Sequence, residues 1–217
     1  MSRILALDLY LVTDRAMCAG LGIERVVGEA VAGGVTTVQL RDDETPTGDL
    51  VELARRLAVL LAPTGVPLIV NNRLDVAVAA GAAGLHVGQS DAPPGAARAR
   101  LGPGAIIGLS ITDPAQVAAV PTGIVDYLGV GPVFATATKA DAAPPMGLEG
   151  LAAVRPLTAL PIVAIGGIAA GNAAAAIAAG AQGVAVVSAV CAAPEPRRAA
   201  GVLAAIVAKA KQGETAR

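Results

Sequence analysis

Eight short apolar segments alternate along the chain with eight segments rich in Ala and Leu. The apolar segments are unbroken hydrophobic runs, which is typical of parallel strands covered by helices. Eight units in 217 residues leave about 27 residues each, which favours a single compact (β/α)8 TIM barrel of the α/β class. The predicted strands are 9–13, 36–40, 68–70, 84–87, 106–108, 127–130, 162–165 and 184–187. The predicted helices are 23–32, 48–60, 73–80, 95–100, 114–119, 148–158, 171–179 and 196–211.

An open, doubly wound sheet is the alternative arrangement of such units. That fold normally carries a glycine-rich nucleotide-binding turn after its first strand, whereas here Asp14-Arg15 stands at that place. We therefore expect one barrel domain over residues 1–217, with its core at about 9–208 and a disordered tail at 209–217.

Composition excludes several function classes. Charged residues make up only 15% of the chain, the net charge is −1, and the aromatic residues are Tyr10, Tyr127 and Phe134. These values argue against a nucleic-acid partner and against a basic membrane anchor. Glycine and polar residues interrupt the most apolar region, 161–191, so no membrane span is expected. With only Cys18 and Cys191, we expect a cytoplasmic protein without a disulfide framework. A homo-oligomer is a further possibility that the sequence leaves open.

Polar residues in this weakly charged chain gather after the predicted strands. Because TIM barrels carry their function in the loops that follow the strands, these residues should meet at one end of the barrel. The segments are Asp14-Arg15, Gln39-Leu40-Arg41-Asp42-Asp43, Asn71-Asn72-Arg73, His86-Val87-Gly88-Gln89-Ser90-Asp91, Ser110, Thr136-Ala137-Thr138-Lys139, Gly166-Gly167-Ile168 and Val187-Ser188.

One candidate phosphate site follows the seventh and eighth strands. Gly166-Gly167 lets backbone N–H groups approach an anion, and a following helix contributes its dipole. With Val187-Ser188 beside it, this pattern matches the usual phosphate site of a TIM barrel. A tight turn would use the same two glycines, so that interpretation stays open.

A second candidate anion site combines Lys139 with Arg41. Lys139 is one of three lysines and follows Thr136 and Thr138, and both ammonium groups and hydroxyls bind phosphate oxygens. A lone loop lysine is often merely solvated, which is the alternative here. Two anion sites predict an enzyme that handles two phosphorylated small molecules, or one with two phosphate groups.

Asp91 follows a predicted strand and suits Mg²⁺, which takes few protein ligands and keeps substrate phosphates and waters. The alternative role is a helix N-cap before Pro93. His86, the only histidine, lies in an apolar strand segment, which favours a buried structural role over metal binding.

Taken together and in order, these segments resemble the thiamine-phosphate synthase family, and the resemblance runs from Tyr10 to about Ala192. The segments that carry it are Val38-Gln39-Leu40-Arg41, Val70-Asn71-Asn72-Arg73-Leu74-Asp75-Val76-Ala77, His86-Val87-Gly88-Gln89-Ser90-Asp91, Gly129-Val130-Gly131-Pro132-Val133-Phe134, Thr136-Ala137-Thr138-Lys139 and Ala164-Ile165-Gly166-Gly167-Ile168.

The resemblance implies a Mg²⁺-dependent transferase that joins a 4-amino-2-methyl-5-hydroxymethylpyrimidine diphosphate to a thiazole phosphate and releases pyrophosphate. It implies dissociative chemistry, in which pyrophosphate leaves before the thiazole nitrogen attacks, with Lys139, Arg41 and Ser110 as catalytic residues. The implied pyrimidine diphosphate contacts are Gln39, Arg41, Asn71, Ser110 and Lys139. The implied thiazole phosphate contacts are Thr136, Thr138, Gly167, Val187 and Ser188, and the implied Mg²⁺ ligand is Asp91.

Two positions depart from the family pattern. Asp43 stands where a lysine is usual, and Asn72 stands where an aspartate is usual. Asn72 can still bind Mg²⁺ through its carbonyl oxygen, or Asp43 can supply the missing carboxylate. Two alternative functions stay open: a thiazole tautomerase of the same fold, disfavoured because Ser110 is followed by Ile111 rather than histidine, and a non-catalytic protein that binds thiamine precursors.

Overall fold

The structure is a computed structural model that describes residues 5–136, 138 and 143–215. Parallel strands close a barrel in chain order, and β8 pairs back onto β1. The strands are β1 (Leu9–Val12), β2 (Thr37–Leu40), β3 (Leu68–Asn71), β4 (Gly84–Val87), β5 (Ile106–Ile111), β6 (Tyr127–Val130), β7 (Ile162–Ala164) and β8 (Gly183–Val186). The predicted TIM barrel is confirmed.

Helices cover the outside of the barrel. They are α1 (Arg15–Cys18), α2 (Ile23–Ala32), α3 (Thr47–Leu61), α4 (Leu74–Ala80), α5 (Pro94–Leu101), α6 (Gly147–Val154), α7 (Ala173–Ala178), α8 (Ser188–Cys191) and α9 (Pro196–Thr215). Shorter 3-10 segments lie at Ala62–Thr64, Pro114–Ala119 and Arg155–Leu157. In the part of the chain that the structure describes, no helix is long and apolar enough to cross a membrane.

Strand residues alternate between the barrel interior and the helix layer, as the two-residue period of a strand requires. On β1, Leu9 and Leu11 belong to the outer hydrophobic cluster, whereas Tyr10 and Val12 belong to a smaller inner cluster. Each buried member of the outer cluster is an aliphatic residue or a cysteine, and together they hold the helices against the barrel. Because side chains on the inner face cannot reach the helices, a polar residue there is available to a site inside the barrel.

The structure adds elements that the sequence analysis did not predict. The four-residue helices α1 and α8 follow β1 and β8, and they are too short to show helical periodicity. Strand β5 continues to Ile111. Ser110 therefore lies within the strand on its inner face, rather than in the loop after it.

Other predicted elements are corrected. The segment 114–119 forms a 3-10 helix, and the predicted helix 148–158 divides into α6 and a 3-10 segment. Both 3-10 segments carry a proline near their N-terminus, where the missing N–H costs no hydrogen bond. The predicted disordered tail is wrong up to Thr215, because α9 continues that far. Lys211 pairs with Asp8, and Ala210 packs against the outer cluster.

Candidate active site

A cavity of about 760 Å³ opens at the carboxyl ends of the strands. It is lined by every predicted site residue that the structure describes: Gln39, Arg41, Asp43, Asn71, Asn72, Asp91, Ser110, Thr136, Thr138, Gly167, Val187 and Ser188. Lys139 lies outside the described residues. Residues from seven different strand-loop units therefore meet in one cavity, as expected for the catalytic face of a TIM barrel.

Gln39, Asn71 and Ser110 form the polar part of the cavity wall on the strands themselves. They lie near the carboxyl ends of β2, β3 and β5. Gln39 is only 5% exposed, so its amide is fixed by the barrel rather than by solvent. The three side chains can present a small set of directed hydrogen bonds to a planar ring, with apolar walls from Val163 and Ile165.

Arg41 follows β2 and pairs with Asp43 across 3.2 Å between Nη2 and Oδ2. The Arg41 backbone N–H donates to the Thr13 hydroxyl at 3.1 Å, which fixes the start of this loop against β1. Asp43 is about half-exposed at its side chain. The residue that replaces the usual lysine thus partly neutralises the neighbouring guanidinium.

Asn72 and Asp91 are two described residues of the cavity that could hold a cation. Asn72 has a positive φ of 42°, and its backbone N–H donates to the His86 carbonyl at 2.8 Å. Its side-chain Oδ1 is buried and has no hydrogen-bond partner among the described residues, which is costly unless a ligand binds there. Asp91 accepts a hydrogen bond at Oδ2 from the Gly88 N–H at 2.7 Å. Both Asn72 and Asp91 line the same cavity.

The N-cap alternative for Asp91 is wrong. Helix α5 begins at Pro94, and its N-cap residue is Pro93, without a side-chain cap. Among residues 5–136, 138 and 143–215, no group of three or more His, Cys, Asp or Glu side chains is arranged to hold a metal ion. The available donors suit a hard cation that shares its coordination with substrate phosphates and waters.

The loops after β6 and β7 are held together by their backbones. The Val133 N–H donates to the Ile165 carbonyl at 2.8 Å, and the Phe134 N–H donates to the Gly166 carbonyl at 3.0 Å. Gly166 and Gly167 have positive φ values of 95° and 62°. A Cβ on Gly167 would lie 2.5 Å from the Ala135 carbonyl oxygen, so the turn requires glycine whether or not an anion binds.

The hydrogen bonds between the loops after β6 and β7 also hold the segment that contains Thr136 and Thr138 next to the turn at Gly166-Gly167. Thr136 and Thr138 line the cavity together with Gly167 and Ser188, and the Thr138 N–H donates to the Thr136 hydroxyl at 3.2 Å. Ser188 is the first residue of α8. Hydroxyl and backbone groups from three loops thus line one cavity, and groups of these kinds can bind a phosphate.

Asn172 is a residue that the sequence analysis missed. It accepts from the Ala169 N–H at 2.8 Å and donates to the Gly167 carbonyl at 2.9 Å. These two bonds close the loop between β7 and α7 and hold the glycine turn in place. An asparagine one residue before a helix is a recognisable N-terminal signal, although here its bonds go to the loop.

The buried polar side chains of the barrel interior were also missed as a group. His86 is buried, as predicted, and burial lowers its pKa to about 4. Burial likewise raises the pKa of Tyr10 and of Tyr127 above the usual value. All three side chains line the floor of the cavity and are neutral at pH 7. The period-2 pattern of each strand would have placed them inside the barrel.

Comparison with known proteins identifies relatives of the chain. The family described as thiamine monophosphate synthase matches residues 9–190. The thiamine-phosphate synthase of Azorhizobium caulinodans is 55% identical over 201 residues, covering 93% of this chain and 95% of that protein. The thiamine-phosphate synthase of Xanthobacter autotrophicus is 54% identical over 205 residues, covering 94% and 97%.

A solved structure agrees with these relatives. The thiamine phosphate pyrophosphorylase from Pyrococcus furiosus is 35% identical and superposes with a TM-score of 0.85, covering 94% of this chain and 96% of that one. A 3-hexulose-6-phosphate synthase, at 17% identity and a TM-score of 0.68, shares the fold alone.

Proposed function

This chain belongs to the thiamine monophosphate synthase family and forms thiamine phosphate, and we propose that the cavity at the barrel mouth carries out the reaction. The enzyme is a transferase that acts on phosphorylated small molecules. The observation that carries the proposal is that every described residue implied by the family resemblance lines one cavity. We assign a subsite for a planar ring to the strands and a phosphate-binding subsite to the glycine turn.

We assign the pyrimidine ring to Gln39, Asn71 and Ser110, and its diphosphate to Arg41 and Lys139. The thiazole phosphate is assigned to Thr136, Thr138, Gly167, Val187 and Ser188. This division places the two anionic groups in different parts of the cavity mouth. The pyrimidine carbon that loses pyrophosphate then lies between them, where the thiazole nitrogen can reach it.

The reaction needs charge stabilisation rather than a covalent nucleophile. The aminopyrimidine can carry positive charge at its exocyclic methylene after the carbon–oxygen bond breaks, and the departing pyrophosphate carries the electron pair. Arg41 lies at the cavity mouth and can exchange its ion pair with Asp43 for one with the diphosphate. Cations aimed at a leaving group act most strongly where water is partly excluded.

We further propose a Mg²⁺ site formed by Asp91 and Asn72, with Asp43 as a candidate ligand. The buried Oδ1 of Asn72, unpartnered within the described residues, supports it, as does the position of Asp91 in the same cavity. When bound there, Mg²⁺ would neutralise charge on the leaving diphosphate. If Asp43→Ala leaves both the Mg²⁺ requirement and the KM for the diphosphate unchanged, Asp43 is not a ligand.

The tautomerase alternative is not favoured by the site. Ile111, which stands where that function would need histidine, is fully buried in the outer cluster. Its side chain therefore points away from the cavity. The other alternative, a protein that binds thiamine precursors without catalysis, is distinguished from the enzyme by the pyrophosphate-release assay below.

The decisive experiment is pyrophosphate release on mixing the pyrimidine diphosphate, the thiazole phosphate and Mg²⁺. We expect release only when both substrates are present, and thiamine phosphate in equal amount. Arg41→Ala should lower kcat/KM about 100-fold, the usual effect of removing one group that stabilises developing charge. Arg56→Ala is the matched control, because Arg56 pairs with Glu24 on the helix layer. An absence of turnover with intact binding of both substrates would support the binding role instead.

We propose a cytoplasmic enzyme without a nucleic-acid partner. The net charge of −1 supports the absence of a nucleic-acid surface, and the free thiols of Cys18 and Cys191 suit a reducing compartment. A homo-oligomer stays a prediction, which light scattering of the purified enzyme tests.

A further inference from the structure

Five side chains form one continuous hydrogen-bonded chain through the barrel interior, which we call the relay. Gln39 Nε2 is 2.9 Å from Tyr10 Oη, and Tyr10 Oη is 2.7 Å from Tyr127 Oη. Tyr127 Oη is 2.9 Å from His86 Nδ1, and His86 Nε2 is 2.9 Å from Ser110 Oγ. The two ends of the relay, Gln39 and Ser110, are two of the three residues assigned above to the pyrimidine ring.

The direction of every bond in the relay follows from its first member. An amide nitrogen can only donate, so the Tyr10 oxygen accepts from Gln39. A buried hydroxyl needs an acceptor for its proton, so Tyr10 donates to Tyr127, and Tyr127 in turn donates to His86 Nδ1. The neutral imidazole then carries its proton on Nε2 and donates to Ser110. The Ser110 proton is left to point into the cavity.

The relay has only one other arrangement in which every bond is kept and no buried O–H proton lacks an acceptor. If the Gln39 amide turned over, its oxygen would accept from Tyr10, and each later bond would reverse. His86 would then be protonated on Nδ1, and the Ser110 proton would be used inside the relay. The cavity would see an amide donor at Gln39 and only an acceptor at Ser110. The donor and acceptor character of the two ends is therefore coupled through the relay.

Space in the barrel is reserved for the relay. A Cβ on Gly108 would lie 2.2 Å from Tyr127 Cζ and 2.3 Å from His86 Nδ1. A Cβ on Gly129 would lie 2.9 Å from His86 Cε1. Two neighbouring strands thus lack side chains where the histidine and tyrosine rings stand, and the rings cannot move without losing their bonds.

We propose that Tyr10, Tyr127 and His86 are positioning residues that make the site selective for a 4-aminopyrimidine over its 4-oxo analogue. This inference rests on the proposed function. In the observed arrangement, the Gln39 oxygen accepts from an amino group and the Ser110 hydroxyl donates to a ring nitrogen. A 4-oxo pyrimidine presents a carbonyl acceptor and a ring N–H donor, which fits the reversed relay instead.

The direct test is the tautomer of His86, read from the imidazole nitrogen shifts of ¹⁵N-labelled enzyme without substrate. His86 is the only histidine in the chain, so its signals need no assignment. The wild-type enzyme should carry the proton on Nε2. In Gln39→Glu at pH 8, the carboxylate can only accept, so the relay should reverse and the proton should move to Nδ1.

A second substitution shows whether the signal travels through the relay. Tyr127→Phe removes the hydroxyl that joins His86 Nδ1 to the rest of the relay, so the Tyr127→Phe/Gln39→Glu double variant should keep the proton on Nε2. Ile69→Val, in the same inner cluster but outside the cavity lining, is the packing control and should also keep it there. A wild-type proton on Nδ1, or an unchanged tautomer in Gln39→Glu, overturns the proposal. So does a tautomer change that persists in the double variant.

Selectivity is tested with an isosteric pair of probes that cannot release pyrophosphate, the 4-amino and 4-oxo 2-methyl-5-hydroxymethylpyrimidine monophosphates. Calorimetry should show that the wild-type enzyme binds the amino form at least about tenfold more tightly, because the oxo form leaves buried groups unpaired. Tyr127→Phe breaks the hydrogen-bonded connection between Gln39 and Ser110, so the ratio of the two affinities, amino form over oxo form, should fall about tenfold. An unchanged ratio overturns the proposal. If the wild-type enzyme released no pyrophosphate, the proposed function would be refuted. The tautomer of His86 is measured without substrate, so that result does not depend on the proposed function.

Discussion

Replacing Gly108 with alanine tests how tightly the barrel interior is built around Tyr127 and His86. The new Cβ would lie 2.2 Å from Tyr127 Cζ and 2.4 Å from Tyr127 Oη, whereas ordinary contacts are 3.4–4 Å. The ring must therefore move by more than 1 Å, which its bonds of 2.7 Å to Tyr10 and 2.9 Å to His86 cannot absorb.

The cost of this substitution has two parts. Overpacking a filled core costs about 1–3 kcal/mol, and a buried hydroxyl that loses its partners costs about 1–3 kcal/mol per unpaired group. We expect the free energy of unfolding to fall by about 2–6 kcal/mol, which is a large share of the ~5–15 kcal/mol typical of a folded protein. For a domain of this length, that corresponds to a Tm lower by about 4–24 °C.

The measurement is thermal unfolding followed by circular dichroism, with urea unfolding as a second probe. Gly129→Ala should give a smaller loss, because its Cβ would lie 2.9 Å from His86 Cε1. Gly48→Ala is the matched control: it lies in α3 with nothing within 4 Å of its Cβ, and alanine should raise the free energy of unfolding by up to about 1 kcal/mol. A Gly108→Ala variant within about 2 °C of the wild-type Tm would refute the reasoning.

Three further substitutions test separate parts of the structure. Asn72→Asp should tighten Mg²⁺ binding about tenfold or more, as titration calorimetry with Mg²⁺ alone can show, because a carboxylate binds Mg²⁺ better than an amide; equal affinity would exclude this position as a ligand. Asp42 is buried, yet hydrogen bonds from Thr45 and Glu44 outweigh that burial and lower its pKa. The ionised form of Asp42 therefore stabilises the fold above about pH 4. In urea unfolding, Asp42→Asn should lower the free energy of unfolding most at neutral pH, and this difference from the wild type should become smaller below pH 4. Arg98→Lys should lower the free energy of unfolding by about 1–3 kcal/mol, because Arg98 donates to Asp126 and to several backbone carbonyls; an unchanged urea midpoint would contradict this.

Much of the barrel could be predicted because each strand carries its own local signal. Segments such as Tyr127–Val130 and Gly84–Val87 are short apolar runs between glycines and helices, and the structure places both strands at the predicted residues. The short helices α1 and α8 lack such a signal, since one helical turn is too short for a period to show.

Some residues of the candidate site could likewise be predicted from the sequence, whereas others could not. Arg41, Asp91 and the glycine turn are visible in the sequence because a polar residue or a glycine pair after an apolar strand stands out in a chain with 15% charged residues. Tyr10, Tyr127 and His86 do not stand out, because inside an apolar segment a residue that packs and a residue that bonds to a distant strand look the same. Tyr10 and Tyr127 are 117 residues apart and share a bond of 2.7 Å.

The pattern of residues along the chain was therefore enough to predict the eight repeating units, the polar end of the barrel and the family. Local hydrophobic period and strand-end chemistry act over a few residues, so a single segment is enough to reveal them. The three-dimensional structure was needed to show which polar side chains share hydrogen bonds across the barrel, that Arg41 pairs with Asp43, and that the side-chain oxygen of Asn72 has no partner in the described part of the chain. Barrel closure brings distant strands within bonding distance, and burial then makes each unpaired polar group costly.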